Sequence, residues 1–404
     1  MFMKSLSLLF YKALVCFLVV LTIPVIMSCE DDNTEEPDNN TGIYHQTVLM
    51  YLPWSGGSIY NYFLNNISSF ETAIKKNKGL DGNALVVFIS ENERTSHLIN
   101  IKYNDGKCYR DTIRSFYFDE CNYTTSSGIA SVINNIIKIA PAETYALAIG
   151  CHGMGWLPVG SEISTRARMS AFENQNVYLT RYFGHSSDNE YQTDISTLAA
   201  GIKKTGLRME YIMFDDCYMS NIETAYELKD VTDYLIASTC EIMIDGMPYS
   251  EIGMDLLKNN YKNICDGFYS FYSNYSMPCG TIGVTDCNEV ERMAEIMKEI
   301  NTAYPLGVES VDDIQDLDGY NTTVFFDFGD YVSHLCKDEY LLNLFKAQLD
   351  RLVPYKANTE TYYSMLTQQQ TRIKTFSGLT VSDPTENKGL TDALSTTSWY
   401  KATH

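Results

Sequence analysis

Apolar positions along this chain follow two alternating signatures. Short runs of β-forming residues occur at Thr47–Leu52, Ala84–Ser90, Tyr145–Ile149, Tyr211–Phe214, Tyr234–Ser238 and Gly280–Val284, and each predicts a strand. Ala84–Ser90 is apolar without interruption, as expected of a central strand covered on both faces. Between the runs, near-3.6 spacing predicts helices over Tyr60–Lys76, Ser126–Ile139, Asp194–Lys204, Ser250–Asn259, Asn263–Tyr275 and Asn288–Ala303. A further helical pattern begins at Met219, and His97–Tyr103 with Thr112–Phe118 predict a hairpin around Asn104-Asp-Gly106. Beyond Ala303 the pattern loosens to strands at Val324–Phe328 and Phe376–Val381 and a helix at Tyr340–Leu352. The alternation predicts an α/β fold over residues 43–303, a mainly parallel central sheet with helices on both faces. Residues 304–404 are expected to form a smaller C-terminal α+β subdomain.

The N-terminal segments follow neither signature. Lys4 and Lys12 flank an apolar stretch, Ala13–Met27, that ends in Ile26-Met-Ser-Cys29. Residues 1–28 are expected to be an export signal, and the last four residues resemble a bacterial lipobox with Cys29 as the lipidated residue. An uncleaved membrane anchor is the alternative, for which the stretch is short against a span of about 20 residues. Residues 29–42 carry acidic side chains and no basic one, too little apolar surface to fold, and predict a solvated tether. Such a run after a lipidated cysteine also resembles surface-export signals of bacterial lipoproteins. The expected location is therefore the bacterial cell envelope, with the chain lipid-anchored to the outer membrane.

Charge and motif content narrow the function. A net charge of −21 argues against nucleic acid, whose phosphates need clustered Lys and Arg. Neither zinc-type Cys/His spacing nor a phosphate loop occurs. Of 11 cysteines, Cys16 and Cys29 lie in the leader, and the odd remainder cannot all pair. A Cys108–Cys121 bridge is open in an exported protein.

Two strand ends carry chemistry. One apolar run ends in Asp215-Asp-Cys217, and another delivers Cys151-His152 into Gly153-Met-Gly-Trp156. In open α/β sheets the ligand crevice lies at the carboxyl ends of the strands. A thiol is mostly protonated at neutral pH, and an imidazole beside it supplies the missing base. A following helix would further favour the thiolate through its dipole. The amides of Gly153 and Cys217 are candidate oxyanion donors. Cys151 is the rival nucleophile, but alternation with His152 turns it toward the opposite face. Asp215 and Asp216 also suit a helix N-cap, which needs only one of them.

With Glu223, Thr180-Arg-Tyr-Phe-Gly184, Ala237-Ser238, Asp245-Gly-Met-Pro-Tyr249 and Ser377-Gly-Leu-Thr-Val381, these motifs resemble the clostripain family of cysteine peptidases. That family groups with caspases, gingipains and legumains, so the resemblance implies a caspase-like fold over nearly all of the chain after the tether. It implies His152 as general base and Cys217 as nucleophile, cleaving peptides or proteins after Arg or Lys through a thioacyl intermediate. Asp215 would floor the pocket for the basic side chain, with Asp245 as a second carboxylate. Self-cleavage between histidine and cysteine would fall at Arg166 or Arg168, in the long polar segment Val159–Gln192 that also holds Arg181. The apolar Ile242-Met-Ile244 departs from clostripain itself, which leaves the pocket's shape and clostripain's calcium dependence open for this chain. The expectation is a monomer without cofactor, partnered by peptide substrates and, through Cys29, a membrane. A silent peptide- or surface-binding lipoprotein of the same fold is the alternative function.

Overall fold

The computed structural model describes residues 42–53, 59–92, 94–117, 122–159, 192–320, 322–385 and 388–404. Residues Ile43–His404 form one compact unit. Its frame is a sheet built from β1 (Tyr44–Leu52), β2 (Ala84–Asn92), β3 (Thr95–Asn104), β4 (Lys107–Tyr117), β5 (Ala142–Ile149), β6 (Met209–Phe214), β7 (Thr232–Ala237), β8 (Thr281–Asp286) and β10 (Tyr355–Asn358). The order is β10-β8-β7-β6-β5-β1-β2-β3-β4. The five strands from β7 to β2 are mutually parallel, and both flanks turn antiparallel. This is the mainly parallel α/β sheet expected from the alternation of runs.

The apolar runs are continuous because both faces are covered. Leu49, Phe88, Leu147, Phe214 and Leu235 pack on one face, with helices Ser126–Ile139, Ile195–Lys203 and Val290–Ala303. Met50, Val87, Ala148, Met213 and Ile236 pack on the other, with helices Ile59–Asn77, Tyr249–Leu257 and Tyr261–Ser273. The hairpin turn forms where Asp-Gly predicted it, with φ +49° at Asp105 and +75° at Gly106. Such positive angles match the twist of the flanking strands. β4 closes its edge of the sheet with Lys107, Arg110 and Arg114, charges that discourage further strand pairing.

The C-terminal region departs from expectation. No break in packing falls at residue 303, since Tyr355 pairs with Val284 and makes β10 the other sheet edge. The predicted strand Val324–Phe328 shortens to β9, Phe326–Asp327, because Asp327 caps a helix at Phe328–Leu335 by accepting from the Asp330 amide at 3.0 Å. The predicted strand Phe376–Val381 shortens to Thr380–Val381, because Gly378 turns with φ +81° and Ser377 is tied to the Asp327 carboxylate. A short hairpin, Thr361–Ser364 with Gln369–Arg372, and helices at Lys388–Thr396 and Ser398–Thr403 complete the region.

Candidate active site

The two chemistry-bearing strand ends are neighbours. β5 and β6 pair in parallel with Ile149 opposite Phe214, and the Asp215 amide donates to the Ile149 carbonyl at 2.7 Å. Continued by three residues, this register brings His152 to the level of Cys217. The chain confirms the approach one residue on, at Gly153. A Cβ there would lie 2.2 Å from the Cys217 carbonyl oxygen and 2.9 Å from the Cys217 nitrogen. Only glycine allows the histidine loop to rest on the Cys217 backbone.

Alternation past the end of β6 sorts the acidic pair. Asp215 turns to the face of Met247 and Tyr249, where its carboxylate accepts from the Met247 amide at 2.7 Å and the Tyr249 hydroxyl at 3.0 Å. Asp216 turns to the opposite face, accepting from the Cys151 amide at 2.6 Å and the Cys151 thiol at 3.3 Å. Both aspartates are fully buried. Cys151 thus packs on the face away from Cys217, as alternation predicted, while His152 is half-buried at the strand end.

Neither aspartate is a helix N-cap. The helix after the nucleophile begins only at Ile222, and Asn221 caps it by accepting from the Thr224 amide at 2.7 Å. It has 7 residues and starts beyond a sharp turn, so the dipole expected to favour the Cys217 thiolate is not aimed from the adjacent residue. The turn is made by Tyr218, a non-glycine residue at φ +61°. Left-handed backbone costs such a residue roughly 1–2 kcal/mol and persists only where surroundings hold it. Here the Tyr218 ring stacks on Phe325 at 5.3 Å and its hydroxyl donates to Glu241 at 2.8 Å. No sequence signal marks a tyrosine for this conformation.

The distant motifs converge on the same turn. The Ser220 amide donates to the Ser238 carbonyl at 2.9 Å, and the Thr380 amide to the Ser220 carbonyl at 3.0 Å. Trp156 donates to Ser382 at 2.8 Å, and Gly155, at φ +60°, leaves room for Phe325. Glu223 accepts from the Ser382 amide at 2.9 Å. Its other oxygen has no hydrogen-bond partner among the described residues, and burial pushes its carboxyl up to about 8. Asp318, buried nearby in the chain's fold around Tyr320–Phe325, is pushed up to about 7 for the same reason, against three backbone donors.

These raised values set a pH dependence. As pH rises from about 4.5 to about 8, the unfolded chain ionises at Glu223 while the folded chain keeps the proton. Stability contributed below that window is therefore lost across it and changes no further above. Glu223→Gln is expected to narrow the difference in Tm between pH 5 and pH 8, read by thermal unfolding. An unchanged difference would contradict the assignment.

Other predicted site residues fare differently. Asp245 is exposed, with its carboxylate accepting from the Tyr275 hydroxyl and its carbonyl from Asn66 at 2.8 Å. It lies on the segment whose Met247 amide holds Asp215. Arg166, Arg168, Arg181, Cys29 and the Thr180–Gly184 motif lie outside the described residues. Cys121 does as well, so the bridge considered from sequence falls outside the described residues, where Cys108 is a free thiol facing the Glu71 carbonyl. Six of the described cysteines are buried, as small apolar residues. Burial pushes the thiols of Cys265 and Cys279 up to about 12, which leaves them inert. Among the described residues no group of three or more His, Cys, Asp or Glu side chains could hold a metal ion. None of the described helices is long and apolar enough to cross a membrane.

Cys217 itself is covered. Its side chain is fully buried, and the Ile242 amide donates to its sulfur at 3.3 Å. The apolar stretch singled out as unlike clostripain is therefore what lies over the thiol.

Comparison with known proteins matches this geometry to one group. The family model described as the clostripain family, Peptidase_C11, matches residues 54–372. A secreted C11 cysteine protease from Bacteroides thetaiotaomicron, "iotapain", is 49% identical, with a TM-score of 0.80 over 90% of this chain and 100% of its own. An inactive zymogen C11 protease from Parabacteroides distasonis is 26% identical, with a TM-score of 0.75 over 90% of this chain and 99% of its own. A clostripain from Bacteroides thetaiotaomicron, in complex with the peptide inhibitor BTN-VLTK-AOMK, is 58% identical, with a TM-score of 0.53 over 55% of this chain and 99% of its own. A search of curated proteins finds no match.

Proposed function

The chain belongs to the clostripain family of cysteine peptidases, and on that premise we propose that it cleaves peptide bonds after arginine or lysine, with Cys217 as nucleophile and His152 as general base. The observation that carries this reading is the seating of Gly153 on the Cys217 backbone, which joins the histidine loop to the nucleophile. In the proposed reaction His152 takes the thiol proton as the sulfur attacks the scissile carbonyl. The adjacent amides of Gly153 and Cys217 receive the oxyanion, a contribution of about 10²–10³ in rate for one such donor elsewhere. His152 then protonates the departing amine, leaving a thioester, and next removes a proton from the water that hydrolyses it. This chemistry uses no cofactor.

Preference for a basic residue rests on Asp215. It is a buried carboxylate at the strand end, held by the Met247 amide and the Tyr249 hydroxyl, and a carboxylate there attracts a cationic side chain. The peptide in the inhibitor of the 58%-identical clostripain ends in lysine, which supports the same preference here. Asp245, on the segment that holds Asp215, adds a second negative charge at the surface. Asp215→Asn is expected to lower kcat/KM on Arg and Lys substrates by roughly 30- to several-thousand-fold, from a 2–5 kcal/mol charge-pair loss. Fluorogenic peptides ending in Arg, Lys, Leu or Ala, assayed on the full chain, test both claims. A lower Tm with unchanged basic preference would make Asp215 only the bracket of Met247 and Tyr249. No turnover by wild type on any of them, in the intact chain or after cleavage at Arg166 or Arg168, would favour a silent, peptide-binding member of the fold.

The covered thiol supports a latent form, as does the similarity to an inactive zymogen. Cleavage at Arg166 or Arg168 is the proposed release, and mass spectrometry of an active sample should find the new ends there. Lipidation at Cys29 is proposed to hold the exported protein, a monomer, at the cell envelope. Incorporation of labelled fatty acid, lost in Cys29→Ala, is the expected result.

A further inference from the structure

Behind the two strand ends, on the sheet face opposite Cys217, lies a cavity of about 130 Å³. Its walls are apolar, built by Tyr51, Tyr123, Ile129, Leu198, Phe214 and Met219. His152, Gly153 and Asp216, the residues that flank or carry the proposed chemistry, also line it. We propose that this cavity receives the side chain immediately following the scissile bond, and that it selects an uncharged aliphatic or aromatic one.

The argument rests on the peptidase reading and on which face each half of a substrate must occupy. Asp215, the proposed partner of the basic side chain, turns to the face of Met247 and Tyr249. Asp216, one residue on, turns to the other face and fastens Cys151. A peptide crossing the carboxyl edge of the sheet, with its basic side chain on the first of these faces, runs toward the second after the scissile bond. His152 must reach the departing amine, so the leaving segment passes a residue that lines the cavity. The cavity thus lies beside the path of the substrate, and the side chain after the bond is its proposed occupant.

Size and charge define that occupant. An engineered apolar cavity of about 150 Å³ accommodates benzene, so a leucine, isoleucine, methionine or phenylalanine side chain suits this one. Asp194 and Asp216 are among its lining residues, so an acidic side chain would be placed near two carboxylates. Small differences in apolar fit are worth roughly 10- to 200-fold in specificity.

The test uses internally quenched peptides identical except after the basic residue, where Leu, Phe, Ala or Asp is placed. A fluorogenic amide with no residue after the bond serves as reference. The expected result is at least a roughly tenfold higher kcat/KM for Leu or Phe than for Asp. Ile195→Trp, which intrudes from the half-buried start of its helix, should flatten this preference while leaving the reference rate unchanged. Leu198→Ala, which enlarges the cavity, should shift preference from Leu toward Phe. A flat profile in wild type, or a profile that neither variant alters, overturns the subsite while the peptidase stands. Absence of hydrolysis of the reference by the chain cleaved at Arg166 or Arg168 overturns both.

Discussion

Cys217→Ala is expected to abolish hydrolysis of a fluorogenic Arg or Lys peptide, lowering kcat by at least about 10³-fold, the scale on which covalent catalysis fails without its nucleophile. The control is Cys151→Ala. Cys151 adjoins the same histidine and touches a carboxylate, Asp216, at 3.3 Å, so it resembles an activated thiol by contacts alone. Its thiol, however, donates to a carboxylate that also holds its own backbone amide. It also packs on the other face of the sheet. Cys151→Ala is expected to retain most activity. The reverse outcome, with Cys151 essential and Cys217 dispensable, would move the nucleophile across the sheet and discard the proposed mechanism. Coverage by Ile242 adds a second reading of the same residue. Alkylation followed by peptide mapping should find Cys217 slow to react in the intact chain and faster in a processed one.

The pairing of these strand ends was legible because it rests on local rules. Continuous apolar runs mark β5 and β6, and a two-residue period decides that Cys151 and Cys217 lie on opposite faces. The hairpin at Asp105-Gly106 was legible for the same reason, since that turn demands residues that accept positive φ. Tyr218 is the counterexample, because its left-handed backbone is imposed by Phe325 and Glu241, more than twenty residues away in each case. The C-terminal hundred residues were harder still. β10 has four residues of mixed polarity, and nothing in its composition announces that it will pair with β8. Phe376–Val381 looked like a strand because Phe376, Thr380 and Val381 are β-forming. Tertiary contacts use it otherwise, to brace Ser220 just after Cys217. Burial of the thiol by Ile242 was likewise invisible, since it depends on how the segment after β7 folds back.

Gly153→Ala is expected to lower kcat by about 10²-fold or more, although the substitution adds one methyl group and touches neither sulfur nor imidazole. The added Cβ would stand 2.2 Å from the Cys217 carbonyl oxygen and 2.8 Å from the Asp216 Cβ. Both are parts of the strand end rather than the far tips of adaptable side chains, so the histidine loop itself must retreat. Relief of such a contact requires a shift on the order of 1 Å, and a displacement of that size is enough to cost about 10² in rate. The Cys151 amide bond to Asp216, 2.6 Å long, lies two residues away and would be stretched by the same movement. Destabilisation is therefore expected alongside lost activity, and thermal unfolding separates the two effects. At a temperature well below the variant's Tm, with the chain fully folded, the rate defect should persist, and it should fall on kcat more than on KM. Full activity in folded Gly153→Ala would mean that the loop need not touch the Cys217 backbone. The dyad and its oxyanion donors would then have to be assembled differently from the arrangement described above.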